Sequence, residues 1–195
     1  MKLYIIRHGE TDWNVALRLQ GREDIPLNTT GIKQAEACGA AMSSVKLDLI
    51  ISSPLQRAYR TAEIIQSYQE NTPVLADSLF IERDFGNLSG MTYKERKVFM
   101  ADHESVGLES RASVSQRICT GLRQYTQKGY EAVAVVSHGG LINQLLADYS
   151  AGRIGSGKTR LKNACISVLE YKPENYTILA YNLTADAFQA WQQSN

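Results

Sequence analysis

Residues 3–14, LYIIRHGETDWN, open with four apolar side chains, Leu3 to Ile6, and turn at once to arginine, histidine and glycine. A short run of β-favouring residues stopped by a charge and a glycine reads as a buried strand. The same grammar returns in residues 132–143, AVAVVSHGGLIN, where Ala132 to Val136 is the clearest buried strand and ends at Ser137-His138-Gly139-Gly140. The chain of 195 residues has only three histidines. Two of them, His8 and His138, each follow a strand and precede a glycine, which marks those strand ends as a candidate site. The glycines allow a ligand close to the backbone, and the helical LINQLLADY after His138 is expected to offer free N–H groups to an anion.

Between and beyond these strands the pattern alternates. Thr30-Gly31 opens a helix on Ile32, Ala35, Cys38 and Ala41-Met42. Leu47 to Ile51 is a second buried strand, stopped by Ser52-Ser53-Pro54. Pro54 suits the first turn of a helix reaching about Tyr68, with Ala58, Ala62 and Ile65 on one face. Pro73 to Ala76 reads as a third, short strand. Residues 84–108 are polar and weakly periodic. They read as a lid or insertion carrying one short helix, with Met91, Tyr93, Phe99 and Met100 as anchors. Ser113 to Tyr125 is helical, and two strands, at about Ala164 to Tyr171 and Tyr176 to Tyr181, close a single domain over residues 1–195. Strands alternating with helices predict an α/β fold, a three-layer α/β/α sandwich with a mainly parallel central sheet. Sites in such sheets lie at the carboxyl ends of strands.

Hydrophobic residues make up 44% and charged residues 21%, a globular composition. A net charge of +1 gives no overall attraction to nucleic acid or to an anionic membrane, so neither partner is expected. No apolar run approaches the roughly 20 residues needed to span a bilayer, and MKLYIIRHGE lacks a signal-peptide core. A cytoplasmic setting is the expectation. Cys38, Cys119 and Cys165 are odd in number and far apart, with no CxxC pair, which argues against a disulfide framework or a cysteine zinc site.

Arg7 beside His8, and Arg57 one turn into a helix after a strand, add the cations that hold a phosphate in fixed, bidentate geometry. A metal would need further nitrogen, sulfur or carboxylate ligands, and adjacent arginines oppose it. The expectation is therefore an anion pocket with no metal and no cofactor.

The stretch RHGETDWN…LQGREDIPLNTTGIKQA resembles the opening signature of the histidine phosphatase superfamily, which includes phosphoglycerate mutases and many phosphatases. SSPLQRAYRTA, LFIERDFGNLSG and VVSHGG resemble its later blocks, in the same order. The resemblance implies a phosphoglycerate mutase-like fold and hydrolysis of a small phosphorylated metabolite through a phosphohistidine. It implies His8 as nucleophile, with Arg7, Arg57, His138 and Asn14 on the phosphoryl oxygens. Glu82 is implied as proton donor to the leaving oxygen and later as the group that activates water. Gln20, Gly21 and Gly139 are implied to line the substrate pocket. The chain departs from the family at Gly86-Asn87-Leu88-Ser89-Gly90, where relatives carry a GxWEG-like segment, and GLESRAS only loosely matches a GES-type block. Mutases of the family carry a longer basic insertion between the acid and the second histidine. Its lack here favours a phosphatase over a mutase, and a phosphoglycerate mutase or sugar bisphosphatase of the same superfamily is the nearest alternative.

Residues 152–159, GRIGSGKT, satisfy the P-loop pattern GxxxxGK[ST]. A nucleotide-binding loop should follow a strand and open a helix. This stretch follows a helix and precedes the strand in LKNACISVLEY, so it is expected to be a helix-to-strand connection. Arg153, Lys158 and Arg160 are candidates to reach the distal part of a substrate. Oligomeric state is not legible.

Overall fold

The computed structural model describes residues 1–173 and 175–195. Strands β1 (Lys2–Arg7), β2 (Leu49–Ser52), β3 (Val74–Ala76), β4 (Ala132–Ser137), β5 (Ile166–Lys172) and β6 (Asn175–Leu183) form one sheet in the order β3-β2-β4-β1-β5-β6. The first four are parallel, and β5 and β6 continue the sheet in antiparallel pairing.

The continuous apolar runs of β1 and β4 follow from burial on both faces. Leu3, Ile5, Val133 and Val135 point into a core with helices α5 (Arg111–Thr126) and α6 (Gly139–Tyr149). Tyr4, Ile6, Ala134 and Val136 point the other way, into a core with α2 (Thr29–Met42), α3 (Gln56–Gln66) and α7 (Ala185–Ser194). This is the expected three-layer α/β/α arrangement. Each fully buried Leu or Ile contributes about 1.5–3 kcal/mol, so the two central strands are anchored from both sides.

The structure changes several details. In α2 the buried line runs through Gly31, Ala35, Cys38 and Met42, and Ile32 is exposed. Helix α3 begins at Gln56, with Pro54 outside it before the N-cap Leu55. A short helix α1 (Asp12–Val15) forms where none was expected, closed by a capping box between Thr11 and Asn14. Helix α7, also unforeseen, is capped by Thr184 and packs Phe188 edge-on against Tyr4. Its start carried a legible cap, Thr184 with Asp186 in the first turn. Within 84–108 lie a 3₁₀ turn at Gly86–Leu88 and helix α4 (Tyr93–Asp102). Tyr93 and Met100 are exposed and anchor nothing. The helix is closed by a capping box between Thr92 and Glu95 and buries none of its residues. No helix among the described residues is long and apolar enough to cross a membrane.

Candidate active site

Register builds the centre. Parallel pairing sets Arg7 of β1 opposite Ser137 of β4, and the His8 N–H donates to Ser137 O at 2.9 Å. His8 and His138 therefore leave the sheet side by side, ring centroids 5.2 Å apart, both buried. Ser53, just past β2, donates its N–H to Val136 O at 3.0 Å, and its Oγ stands 2.7 Å from His138 Nε2.

His8 Nδ1 lies 2.6 Å from Gly9 O. A carbonyl only accepts, so this nitrogen carries the proton, and Nε2 keeps its lone pair. The Gly9 N–H donates to Thr61 Oγ1 at 3.1 Å, and the Thr61 hydroxyl donates to Arg57 O at 2.7 Å, which fixes the loop under the ring. Burial first, then the charges of Arg7 and Arg57, hold the His8 pKa well below 6.5, so the ring is neutral at pH 7. Burial and then Arg57, His8 and Arg7 lower that of His138 in the same way.

Arg57 is fully buried. Its Nη1 donates to Glu23 O at 2.6 Å and its Nη2 to Gly21 O at 2.8 Å. Burial brings its pKa down to about 10, which leaves it charged at neutral pH. Arg7 Nη1 donates to Leu161 O at 2.7 Å. Arg7 Nε, Arg57 Nε and His138 Nδ1 are buried without a partner, three of six such side-chain atoms among the described residues. An orphaned buried polar atom costs about 1–3 kcal/mol, and three around one centre suit an oxyanion that would accept from them all.

Glu82 follows a 3₁₀ turn at Ser78–Phe80 and is buried. Its Oε2 accepts from Gly140 N at 2.9 Å, and its Oε1 accepts from Leu141 N at 2.9 Å and Arg83 N at 2.7 Å. The N-cap His138 makes no side-chain cap bond, so Glu82 caps α6 from outside the helix. The N–H groups of Gly140 and Leu141, expected to be free for an anion, are therefore taken by a carboxylate. Position 140 has to be glycine for this, because a Cβ there would lie 2.7 Å from Glu82 Oε1.

A second network grips the chain around Glu82. Arg117 Nη1 donates to Leu79 O at 2.8 Å and to Ile81 O at 2.6 Å, and Arg22 Nε donates to Glu82 O at 3.3 Å. Both arginines bind Glu109, Arg117 through Nε at 2.8 Å and Arg22 through Nη2 at 3.3 Å.

The structure thus brings Arg7, His8, Arg57, Glu82 and His138 to one end of the parallel strands. Asn14 and Gly139 stand on the wall of a cavity of about 1000 Å³ that opens onto Arg7. Asn14 Oδ1 accepts from Asn163 Nδ2 at 3.1 Å, which also reaches His8 O at 3.3 Å. Gln20 and Gly21 lie instead on the Arg57 side: Gly21 supplies a carbonyl to that guanidinium, and Gln20 Oε1 is buried without a partner.

Sequence reasoning placed Ser53 at a site strand end without a role, and missed Thr61, Asn163 and the Glu109–Arg117–Arg22 network. Only Ser53 carried a signal, its place at a strand end. Among the described residues no three His, Cys, Asp or Glu side chains gather where they could hold a metal ion. The GRIGSGKT stretch runs from α6 toward β5 as expected, and Lys158 Nζ donates to Gly152 O at 2.6 Å within the loop itself.

Residues 3–184 match the sequence model of the histidine phosphatase superfamily, branch 1. The chain is 39% identical over 182 residues to the uncharacterized phosphatase PhoE of Bacillus subtilis, covering 93% of this chain and 94% of that one. It is 34% identical over 202 residues to phosphoserine phosphatase 1 of Hydrogenobacter thermophilus, covering 94% and 93%. The solved phosphoserine phosphatase of Entamoeba histolytica, in complex with 3-phosphoglyceric acid, superposes with a TM-score of 0.79 at 28% identity, covering 94% of this chain and 97% of that one.

Proposed function

The chain belongs to the histidine phosphatase superfamily and is a phosphoric monoester hydrolase, and from that premise we propose that it hydrolyses a small phosphomonoester by two displacements on His8, without a metal. The observation that carries this reading is the His8 ring: Nδ1 is committed to Gly9 O, and the ring is neutral between two guanidinium groups. Its Nε2 lone pair is the nucleophile.

In the first displacement Nε2 forms a bond to phosphorus while the bond from phosphorus to the leaving alcohol breaks. Arg7, Arg57 and His138 compensate the charge spread over the phosphoryl oxygens, work that a divalent cation does elsewhere. Glu82 delivers a proton to the leaving oxygen; for this, one carboxyl oxygen carries the proton in place of a backbone N–H contact. In the second displacement Glu82 takes a proton from water, the water oxygen bonds to phosphorus, and the P–N bond breaks to restore His8. Asn14 and Gly139 hold the substrate at the cavity wall, Gly21 and Glu23 brace Arg57 through their carbonyls, and Gln20 lines the pocket beside them. We read residues 1–195 as one catalytic domain with 84–108 as its cover. The likeness to phosphoserine phosphatases supports a small phosphorylated metabolite as substrate.

Trapping tests this directly. With chelator present, wild-type protein mixed with substrate is expected to carry acid-labile, base-stable phosphate on the peptide containing His8, and His8→Ala is expected to carry none. Phosphate on another residue, or activity that chelator abolishes, would overturn the reading.

A further inference from the structure

The Asn14 amide can stand in one orientation only. The Thr11 N–H and the Thr11 hydroxyl donate to Asn14 Oδ1 at 3.2 and 3.1 Å. An N–H only donates, so the atom that meets it is the oxygen and the amide is not flipped. Asn163 Nδ2 donates to the same oxygen at 3.1 Å. With three donors on Oδ1, the Asn14 Nδ2 group is left to the cavity that Asn14 lines beside Arg7, and it meets no acceptor among the described residues.

Thr11 and Asn14 form one capping box on α1, a helix of four residues, none of them buried. Bonds inside the box fix which way the Asn14 amide faces. Its distance from the His8 ring depends on a tie outside the box, and Asn163 supplies it. Asn163 Nδ2 also donates to His8 O at 3.3 Å, so one amino group spans the Asn14 side chain and the His8 backbone with its two hydrogens.

Asn163 is itself held on both sides. The Ala164 N–H donates to the same His8 O at 3.2 Å, and the Arg7 N–H donates to Cys165 O at 3.1 Å. The Lys162 N–H donates to Asn182 Oδ1 at 2.8 Å. Ala164 has φ at 49°, a left-handed conformation that a residue with a Cβ adopts at a cost. That strained turn lets two successive residues, Asn163 and Ala164, donate to one carbonyl.

We propose that Asn163 is a positioning residue for phosphoryl transfer: it ties Asn14 to the His8 backbone, so that the Nδ2 hydrogens of Asn14 meet the phosphoryl oxygens beside the attacking ring. This rests on the reading above, which seats the phosphoryl group at His8 and Arg7. A donor held at a fixed distance from the nucleophile needs no reorganisation as charge develops on the oxygens. Asn163 acts through Asn14, which distinguishes its role from general packing.

Coupling between the two asparagines is the test. Inhibition by vanadate, a mimic of the phosphoryl group in transfer, is measured in wild type, Asn14→Ala, Asn163→Ala and the double variant. Asn14→Ala is expected to weaken vanadate about tenfold and Asn163→Ala about fivefold, as for one hydrogen bond lost or misplaced. In the Asn14→Ala background, Asn163→Ala is expected to change inhibition by less than about twofold, because the residue through which it acts is gone. A spectroscopic readout accompanies this in wild-type protein, where no variant of Asn163 has to fold. The side-chain NH2 pair that Asn14→Ala removes from the nitrogen–proton NMR spectrum is expected to shift when vanadate is added. Equal losses from Asn163→Ala in the two backgrounds would make it a packing residue and overturn the proposal. An Asn14 NH2 pair that ignores vanadate would overturn it as well. Phosphate trapped on a residue other than His8, with the coupling intact, would overturn the catalytic reading and leave the tie between Asn163 and Asn14 standing.

Discussion

The hydroxyl of Ser53 lies 2.7 Å from His138 Nε2 and accepts the Leu55 N–H at 3.3 Å. His138 Nε2 is the one acceptor within the hydroxyl's reach among the described residues, so the hydroxyl gives its proton to Nε2. That places the His138 proton on Nδ1, the buried atom left without a partner beside two arginines. Ser53 is a positioning residue that makes His138 a donor to an oxyanion. Ser53→Ala is expected to lower kcat/KM about tenfold, the equivalent of one hydrogen bond, and to weaken vanadate inhibition in proportion, with Ser53→Thr restoring both. Vanadate inhibition that stays at the wild-type level in Ser53→Ala would remove Ser53 from this role.

Glu82→Gln keeps an acceptor for the backbone of α6 and loses the transferable proton. Turnover of alkyl phosphates is expected to fall by about 10²–10⁴-fold, and that of p-nitrophenyl phosphate, whose leaving oxygen needs little protonation, far less. Equal losses on both esters would mean that Glu82 is not the acid.

Arg117 donates to the carbonyls of Leu79 and Ile81, just before Glu82, and is itself held by Glu109. Arg117→Ala is expected to reproduce the leaving-group pattern of Glu82→Gln in weaker form, about tenfold on alkyl phosphates with p-nitrophenyl phosphate nearly spared. Arg117→Lys, which reaches one carbonyl, is expected to fall between. A uniform loss on both esters would indicate damage to the fold and no role in placing the acid.

His8 and His138 are held neutral by burial and by the neighbouring guanidinium charges, with pKa values well below 6.5. In the unfolded chain each takes up a proton near about pH 6.5. The stability tied to their burial is complete above that pH and is lost as pH falls toward the folded-state pKa values. There the unfolded chain binds protons that the folded one refuses, at up to about 1.4 kcal/mol per pH unit for each histidine. Urea unfolding between about pH 7.5 and 4.5 is expected to show a steeper decline in wild type than in His8→Gln/His138→Gln. Parallel curves would contradict neutral burial.

Lys158 donates to its own loop at Gly152 O. Lys158→Ala is therefore expected to leave hydrolysis of a small generic phosphoester within about twofold, with a modest loss of stability, about 1 kcal/mol, from the lost hydrogen bond. Micromolar ATP–Mg²⁺ binding that disappears with the substitution would restore the P-loop reading.

The sequence by itself determined the fold class and the residues gathered at the strand ends. Arg7-His8-Gly9 and Ser137-His138-Gly139 each sit directly after an apolar run, and a run buried on both faces leaves its polar residues only at its end. Arg57 was legible from its place one turn into the helix after a strand, whereas Glu82 was legible only through its resemblance to a family block, since a lone carboxylate has no periodicity that separates it from surface. Tertiary structure alone decided the pairings. Ser53 meets His138 because β2 lies next to β4, and Arg117 meets the Leu79 and Ile81 carbonyls because α5 packs beside the turn that leads to Glu82, while Arg22 reaches Glu109 from a distant part of the chain. It also decided that Glu82 caps α6, which took from the anion two N–H groups that a local reading had assigned to it. Local pattern reports which face of a segment is buried; which buried donor meets which acceptor depends on neighbours brought together from distant parts of the chain.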